Sequence, residues 1–236
     1  MKYNIKMIEI YPRVFHLTFE SQYLLTSTCC RLQEFYESPF SNIRGKVFSM
    51  DEYMDTYAEE TGNFTYFSDW IGFNVPSDIV GKFYKKYKYI LTNKERCLFE
   101  LLLPIIEENK KFYIIGTTED AELETTSHET AHALYHLSNE YFDKCNVLAN
   151  KLPVRHKKRI YESLIDSGYH DAVLVDELQA WLSTSTTDEL VDQFFDPDET
   201  KLKLNPLMSH VEKFRKLFKE TIEQQDESIK YDNGTI

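Results

Sequence analysis

Beyond residue 120 the periodicity of this chain admits little but helix. Apolar residues recur at helical spacing over about 121–152, 155–167 and 171–183, with Gly168 interrupting the last two. A tail helix over about 204–222 carries Leu207, Val211, Phe214, Leu217 and Phe218 on one face. Directly before this run stands one short β-branched and aromatic stretch, residues 111–117, which reads as a strand.

The first 110 residues are mixed. Residues 8–19 alternate as one long strand or two short ones broken near Pro12. Residues 21–36 have helical spacing, closed by Ser38-Pro39. Ser49 with Glu52 forms a capping box opening a helix to about Glu60, and Thr92 with Glu95 opens another over 92–107, which Pro104 would shorten. Ser77-Asp78 is positioned to cap a short helix. The aromatic segment 62–76 reads as a packed loop or short strand and turn, or else as the wall of a cleft; aromatic residues fill cores more often than sites. With only 7 Gly and 7 Pro in 236 residues, a turn-rich all-β chain is disfavoured. The expectation is one α+β domain over residues 1–236, predominantly helical. Residues 1–110 form its mixed part, and 111–236 supply a strand and a series of helices.

Charge narrows the partners. A formal net charge of −12 repels phosphate backbones, so nucleic acid is not expected as a partner. The short basic runs 82–88 and 151–159 read as solvated faces. No window approaches 18 uncharged apolar residues, so no membrane span is expected. The N-terminal residues lack an uninterrupted apolar core, so no signal peptide is expected and the cytoplasm is the expected compartment. Cys29, Cys30, Cys97 and Cys145 contain no C-x-x-C pair and are too few for a disulfide framework.

The segment that carries chemistry is Ser127-His128-Glu129-Thr130-Ala131-His132. On a helix His128 and His132 stand one turn apart on one face, so their imidazoles can converge on one ion. Glu129 points along a neighbouring radius, able to reach a metal-bound water without becoming a ligand. With 7 His and 24 Glu in the chain, chance would place this pattern somewhere about 2% of the time.

A catalytic zinc takes three protein ligands and a water, so a third ligand is required. An extended motif with Gly at 135 and His at 138 is absent, because those positions hold Tyr135 and Ser138. His136 lies eight residues past His128, about 12 Å along a straight helix, too far to share an ion. Asp143 is further still. The best candidate is Glu177, an acid beside the apolar stripe Val173, Leu174, Leu178, Ala180, Trp181 and Leu182. A buried acid in that setting needs compensation, which a metal supplies. Asp176 competes as third ligand, or accepts an imidazole N–H from behind the metal. His170 and His156 are lesser alternatives, the latter being surrounded by Arg155, Lys157, Lys158 and Arg159.

On His128, Glu129, His132 and Glu177, with Ala180 one turn on, the chain resembles the zincin superfamily of metallopeptidases in its gluzincin arrangement. The resemblance covers about 60 residues, from the motif to the third ligand. It implies a zincin-like fold with a small sheet packed on the motif helix. It also implies one catalytic Zn2+ held by two imidazoles and a carboxylate, with Glu129 as the base that activates the zinc-bound water. The substrate would be a peptide or protein, and the strand at 111–117 would be the sheet edge that pairs with it. An added oxyanion donor is expected, with Tyr169 and His170 the candidates; Tyr161 and Tyr135 read as packing residues. Two other classes stay open at this point: a zinc hydrolase for a non-peptide substrate, and a zincin-like binding protein without turnover.

Overall fold

The N-terminal alternation resolves into a hairpin of β1 (Ile5–Tyr11) and β2 (Val14–Phe19), antiparallel, with a bulge between Glu9 and Tyr11. Pro12 and Arg13 make the turn. Arg13 takes the left-handed conformation (φ 66°), uncommon without glycine, and its N–H is held by Glu9 Oε1 at 2.6 Å. The structure, a computed structural model, describes residues 3–121, 123–195 and 201–233. Two units are distinguished, Met1–Thr126 and Ser127–Ile236, each with its own buried cluster.

In the first unit the sheet order is β1-β2-β4-β3, with β3 at Gly72–Pro76 and β4 at Tyr113–Thr118. β2 and β4 run parallel; the other pairs are antiparallel. This corrects the reading of residues 111–117 as a sheet edge. β4 is bonded on one side to β2 and on the other to β3, so it has no free edge for a peptide. The physical reason is visible in its composition. Five of its six residues are buried, without alternation, as in a strand covered on both faces.

Helix α1 (Gln22–Glu37) packs on this sheet, capped by the Ser21 side chain. The approach is close at Gly116, where a Cβ would meet Leu25 Cδ1 at 3.2 Å. Helix α2 (Met50–Thr61) begins with the Ser49–Glu52 capping box and ends at Gly62 (φ 90°). The aromatic segment forms one helical turn, α3 (Tyr66–Asp69), followed by β3. Its rings join the core: Tyr66 is fully buried and packs edge-on against Tyr53, with Tyr57, Phe64, Phe67 and Trp70 around it.

Helix α4 (Ser77–Tyr87) starts from Pro76 without the side-chain cap expected from Ser77-Asp78. Helix α5 (Asn93–Glu107) runs through Pro104, which does not shorten it. The carbonyl released by the missing N–H belongs to exposed Glu100, where water can serve it. A buried ion pair ties α1 to α5. Arg31 Nε donates to Glu95 Oε1 at 2.8 Å, Nη2 donates to Oε2, and the guanidinium lies 4.8 Å over the Tyr87 ring.

The unit boundary falls inside α6 (Leu123–Leu137), the helix that carries the His-Glu-x-x-His motif. The expected long helix over 121–152 is broken at Ser138, whose side chain caps α7 (Asn139–Asn150) by accepting from Tyr141 N–H. Helix α8 (Val154–Asp166) ends before Gly168 (φ 94°). A 3-10 turn (Asp171–Val173) leads into α9 (Leu174–Thr184). Helix α10 (Thr187–Phe194) is an element the apolar periodicity does not announce, although Thr186 and Glu189 form a capping box before it. The tail is α11 (Lys201–Asn233), packed on α9 and α7. The chain is thus α+β and mostly helical, with one small mixed sheet. Among the described residues no helix is long and apolar enough to cross a membrane.

Candidate metal centre

Two helices of the second unit build the site. α6 presents His128 and His132 one turn apart, and α9 presents Glu177 in its first turn. Leu178, Ala180 and Leu182 on α9, and Ala131, Ala133 and Leu134 on α6, are buried. Apolar packing along both helices therefore drives the polar groups between them out of water.

The three donors converge. Ligand atoms of His128, His132 and Glu177 all lie within 4.8 Å of one another, the one such group among the described residues. His128 Nε2 and His132 Nε2 are 3.3 Å apart. Glu177 Oε1 is 3.7 Å from His132 Nε2, and its Oε2 is 3.9 Å from His128 Nε2. Two bonds of about 2.0–2.1 Å at a tetrahedral angle would set donor atoms about 3.3–3.4 Å apart. The imidazole pair has that spacing, and each Glu177 oxygen stands a few tenths of an ångström wider from the one imidazole it faces.

Glu177 Oε2 is buried and has no hydrogen-bond partner. An orphaned carboxylate oxygen costs folding free energy unless something compensates it. Two imidazole nitrogens and a carboxylate are a donor set that suits zinc. The residues present therefore fit such an ion.

Asp176 is placed differently from Glu177. Its Oδ1 lies 2.8 Å from His132 Nδ1, on the side of the ring away from Glu177. It also accepts from Gln179 Nε2 at 3.1 Å. A carboxylate only accepts, so the proton of a neutral His132 sits on Nδ1 and its Nε2 lone pair faces the cluster.

The electrostatics follow from burial among acids. Burial, helped by the neighbouring His132, pushes His128 down to about 3. Burial alone would lower His132 too. The carboxylates of Asp176, Glu177 and Glu129 outweigh it and hold His132 well above its ordinary value. Burial raises Glu177 to about 7, with His132 opposing and Asp176 and Glu129 adding. The cluster is thus rich in negative charge and short of water, the setting in which a cation binds.

Glu129 is half-buried, and its charge is felt at both His132 and Glu177. Trp181, one turn past Glu177, stands nearly perpendicular to the His128 ring at 5.3 Å, and Phe194 packs on Trp181 at 5.4 Å.

The other candidates have other work. His170 Nδ1 accepts from Ala172 N–H at 3.1 Å and so caps the 3-10 turn. Tyr169 and Tyr161 pack against the core of the second unit. Tyr135 OH accepts from Asn146. His156 stacks edge-on against Phe195. Asp143 lines a surface groove with Val147, Leu148 and Leu217. Sequence reasoning missed Gln179 and Tyr141, which back Asp176. Gln179 sits three residues after an acid on the same helix, a spacing that could have suggested the contact.

No protein-family model, no curated protein and no solved structure matches this chain.

Proposed function

We propose that this protein is a zinc-dependent hydrolase, and by the resemblance of its motif a metallopeptidase with a zincin-like fold. His128 and His132 would hold the ion through Nε2, and Glu177 through its carboxylate. The observation that carries this reading is the convergence of those three donors from two helices, with a buried Glu177 oxygen that nothing else satisfies.

When bound, the ion would acidify a water and polarise the scissile carbonyl. The remaining work falls to side chains. Asp176 holds the His132 Nδ1 proton and so keeps Nε2 aimed at the cluster. Glu129, beside His128 and not among the three ligands, takes a proton from the attacking water and delivers it to the leaving amine. Trp181 packs nearly perpendicular to the His128 ring and helps hold it in place.

The test is metal analysis followed by turnover. Protein purified without added metal should carry one equivalent of zinc, lost in His128→Ala and in Glu177→Ala. Glu129→Gln should keep the zinc and lose at least 100-fold in cleavage of a peptide library. Zinc retained in both ligand variants would refute the ligand assignment. Cleavage that survives Glu129→Gln would remove Glu129 as the base. Zinc-dependent turnover of ester or amide probes without any peptide cleavage would place the substrate outside peptides.

A further inference from the structure

Behind the proposed metal ligands lies a chain of buried hydrogen bonds that the reaction does not use. Asp176 Oδ1 accepts from Gln179 Nε2 at 3.1 Å. Gln179 Oε1 accepts from Tyr141 OH at 2.9 Å. Tyr141 OH lies 3.4 Å from Ser183 Oγ, and Cys145 Sγ approaches Gln179 Oε1 at 4.0 Å. Gln179, Tyr141 and Cys145 are at most 1% exposed, and Ser183 is 5% exposed.

The direction of every bond follows from chemistry. The Asp176 carboxylate can only accept, so the Gln179 amide must turn its NH2 toward it. The amide oxygen then faces α7, and Tyr141 must donate to it. Tyr141 has spent its one proton, so Ser183 must donate to Tyr141. Asp176 is thereby held between two donors, Gln179 Nε2 and His132 Nδ1–H. No member of the chain can reverse without setting one buried acceptor against another.

We infer that Gln179 and Tyr141 are positioning residues: this one-way chain from α7 through α9 fixes the Asp176 carboxylate, and through it the ring orientation and tautomer that make His132 Nε2 a metal ligand. The inference deepens the zinc reading and rests on it for its affinity arm. Neither residue touches the proposed ion or a substrate. Both act through Asp176, and the buried placement of an amide and a phenol is explained by that task.

The experiment compares the parent chain with Gln179→Met and Tyr141→Phe by two readouts. The first is the exchange-protected Nδ1–H resonance of His132 in 15N-labelled, metal-free protein. The second is zinc affinity from competition with a chromogenic chelator. Gln179→Met is expected to lose protection of the His132 proton and to weaken zinc by about tenfold, the low end for partners behind a ligand. Tyr141→Phe leaves the amide in place without its orienting donor, and about threefold weakening is expected, below that same range. It also serves as the second arm should Gln179→Met not fold. Both variants keeping a parent-like resonance and zinc affinity within about twofold would overturn the inference. A resonance lost only in the variants, with zinc bound by none of the three proteins, would uphold the positioning chain and strike down the zinc reading instead.

Discussion

His132 Nδ1 and Asp176 Oδ1 are 2.8 Å apart across two helices of the second unit, while Glu177, the next residue on, faces the opposite nitrogen of the same ring at 3.7 Å. Adjacent acids on α9 thus serve opposite sides of one imidazole. Asp176→Ala should leave all three proposed ligands in place and still weaken zinc binding by about 10–100-fold, because an outer partner sets ring orientation and basicity. His132→Ala should cost more. A chelator competition titration ranks the two, and an Asp176→Ala protein that binds zinc like the parent would show that the contact is not coupled to the metal.

Glu177 separates function from stability. It is 6% exposed, with one oxygen unsatisfied. Such a group weakens the metal-free fold by about 1–3 kcal/mol. Glu177→Met should therefore cost the metal-free protein little or no stability, since a packed apolar chain replaces a carboxylate with one unsatisfied oxygen while Asp176 still partners His132. The same variant should lose the thermal stabilisation that added zinc gives the parent. Melting curves with zinc and with chelator measure both effects. A large loss of stability in chelator would mean that Glu177 is held for packing.

In the first unit, burial sets a second carboxyl apart. Glu34 on α1 is 4% exposed, and its Oε2 has no hydrogen-bond partner. Burial raises its pKa above 4.5, outweighing the nearby hydroxyls of Ser38, Tyr66 and Tyr53. A folded pKa above the unfolded one means the folded state binds the proton more tightly. The Glu34 contribution is most favourable below about pH 4.5 and is lost as pH rises through the folded value. Glu34→Gln, neutral throughout, should flatten that part of the urea stability profile and match or exceed the parent at pH 8. A parent and variant whose profiles stay parallel from pH 4 to pH 8 would contradict a raised Glu34 pKa.

The legibility of this chain follows how local each signal is. The His-Glu-x-x-His pairing needs only helical spacing, so it can be read directly. Glu177 is reachable because an acid beside Leu174, Leu178 and Leu182 demands compensation if it is buried. The role of Asp176 is open in the sequence because adjacent residues on a helix differ by about 100° in direction, and only the path of α9 past His132 decides which faces which nitrogen. Gln179 and Tyr141 carry no charge and no spacing rule links 141 to 179; their contact exists only through the packing of α7 on α9. The strand at 113–118 lacks the apolar–polar alternation of a half-exposed strand, and assigning it to an edge follows from the family resemblance against that signal. The Ser138 cap is masked because apolar spacing continues past it. The Thr186–Glu189 box before α10 is a local signal of the same kind as Ser49–Glu52 and is readable.

The buried pair in the first unit provides the last test. Glu95 does two things at once: it accepts both donors of Arg31 and closes the α5 capping box by accepting from Thr92 N–H at 2.6 Å. Arg31 and Glu95 are 4% and 3% exposed, so neither charge can turn to water. Removing the acid leaves a buried guanidinium with the carbonyls of Phe48 and Ile90 and the Tyr87 ring, and no counter-charge. Breaking a buried pair from one side costs about 3–5 kcal/mol, and loss of the cap contact adds about 1 kcal/mol. Glu95→Ala should therefore be severely destabilising in urea. Arg31→Met with Glu95→Gln should recover much of the loss. The pair is then replaced by groups that fit without charge, and the amide introduced in place of the carboxylate can still turn its oxygen to the Thr92 N–H. A double variant no more stable than Glu95→Ala would mean that the ion pair itself, and not the avoidance of a lone buried charge, holds α1 against α5.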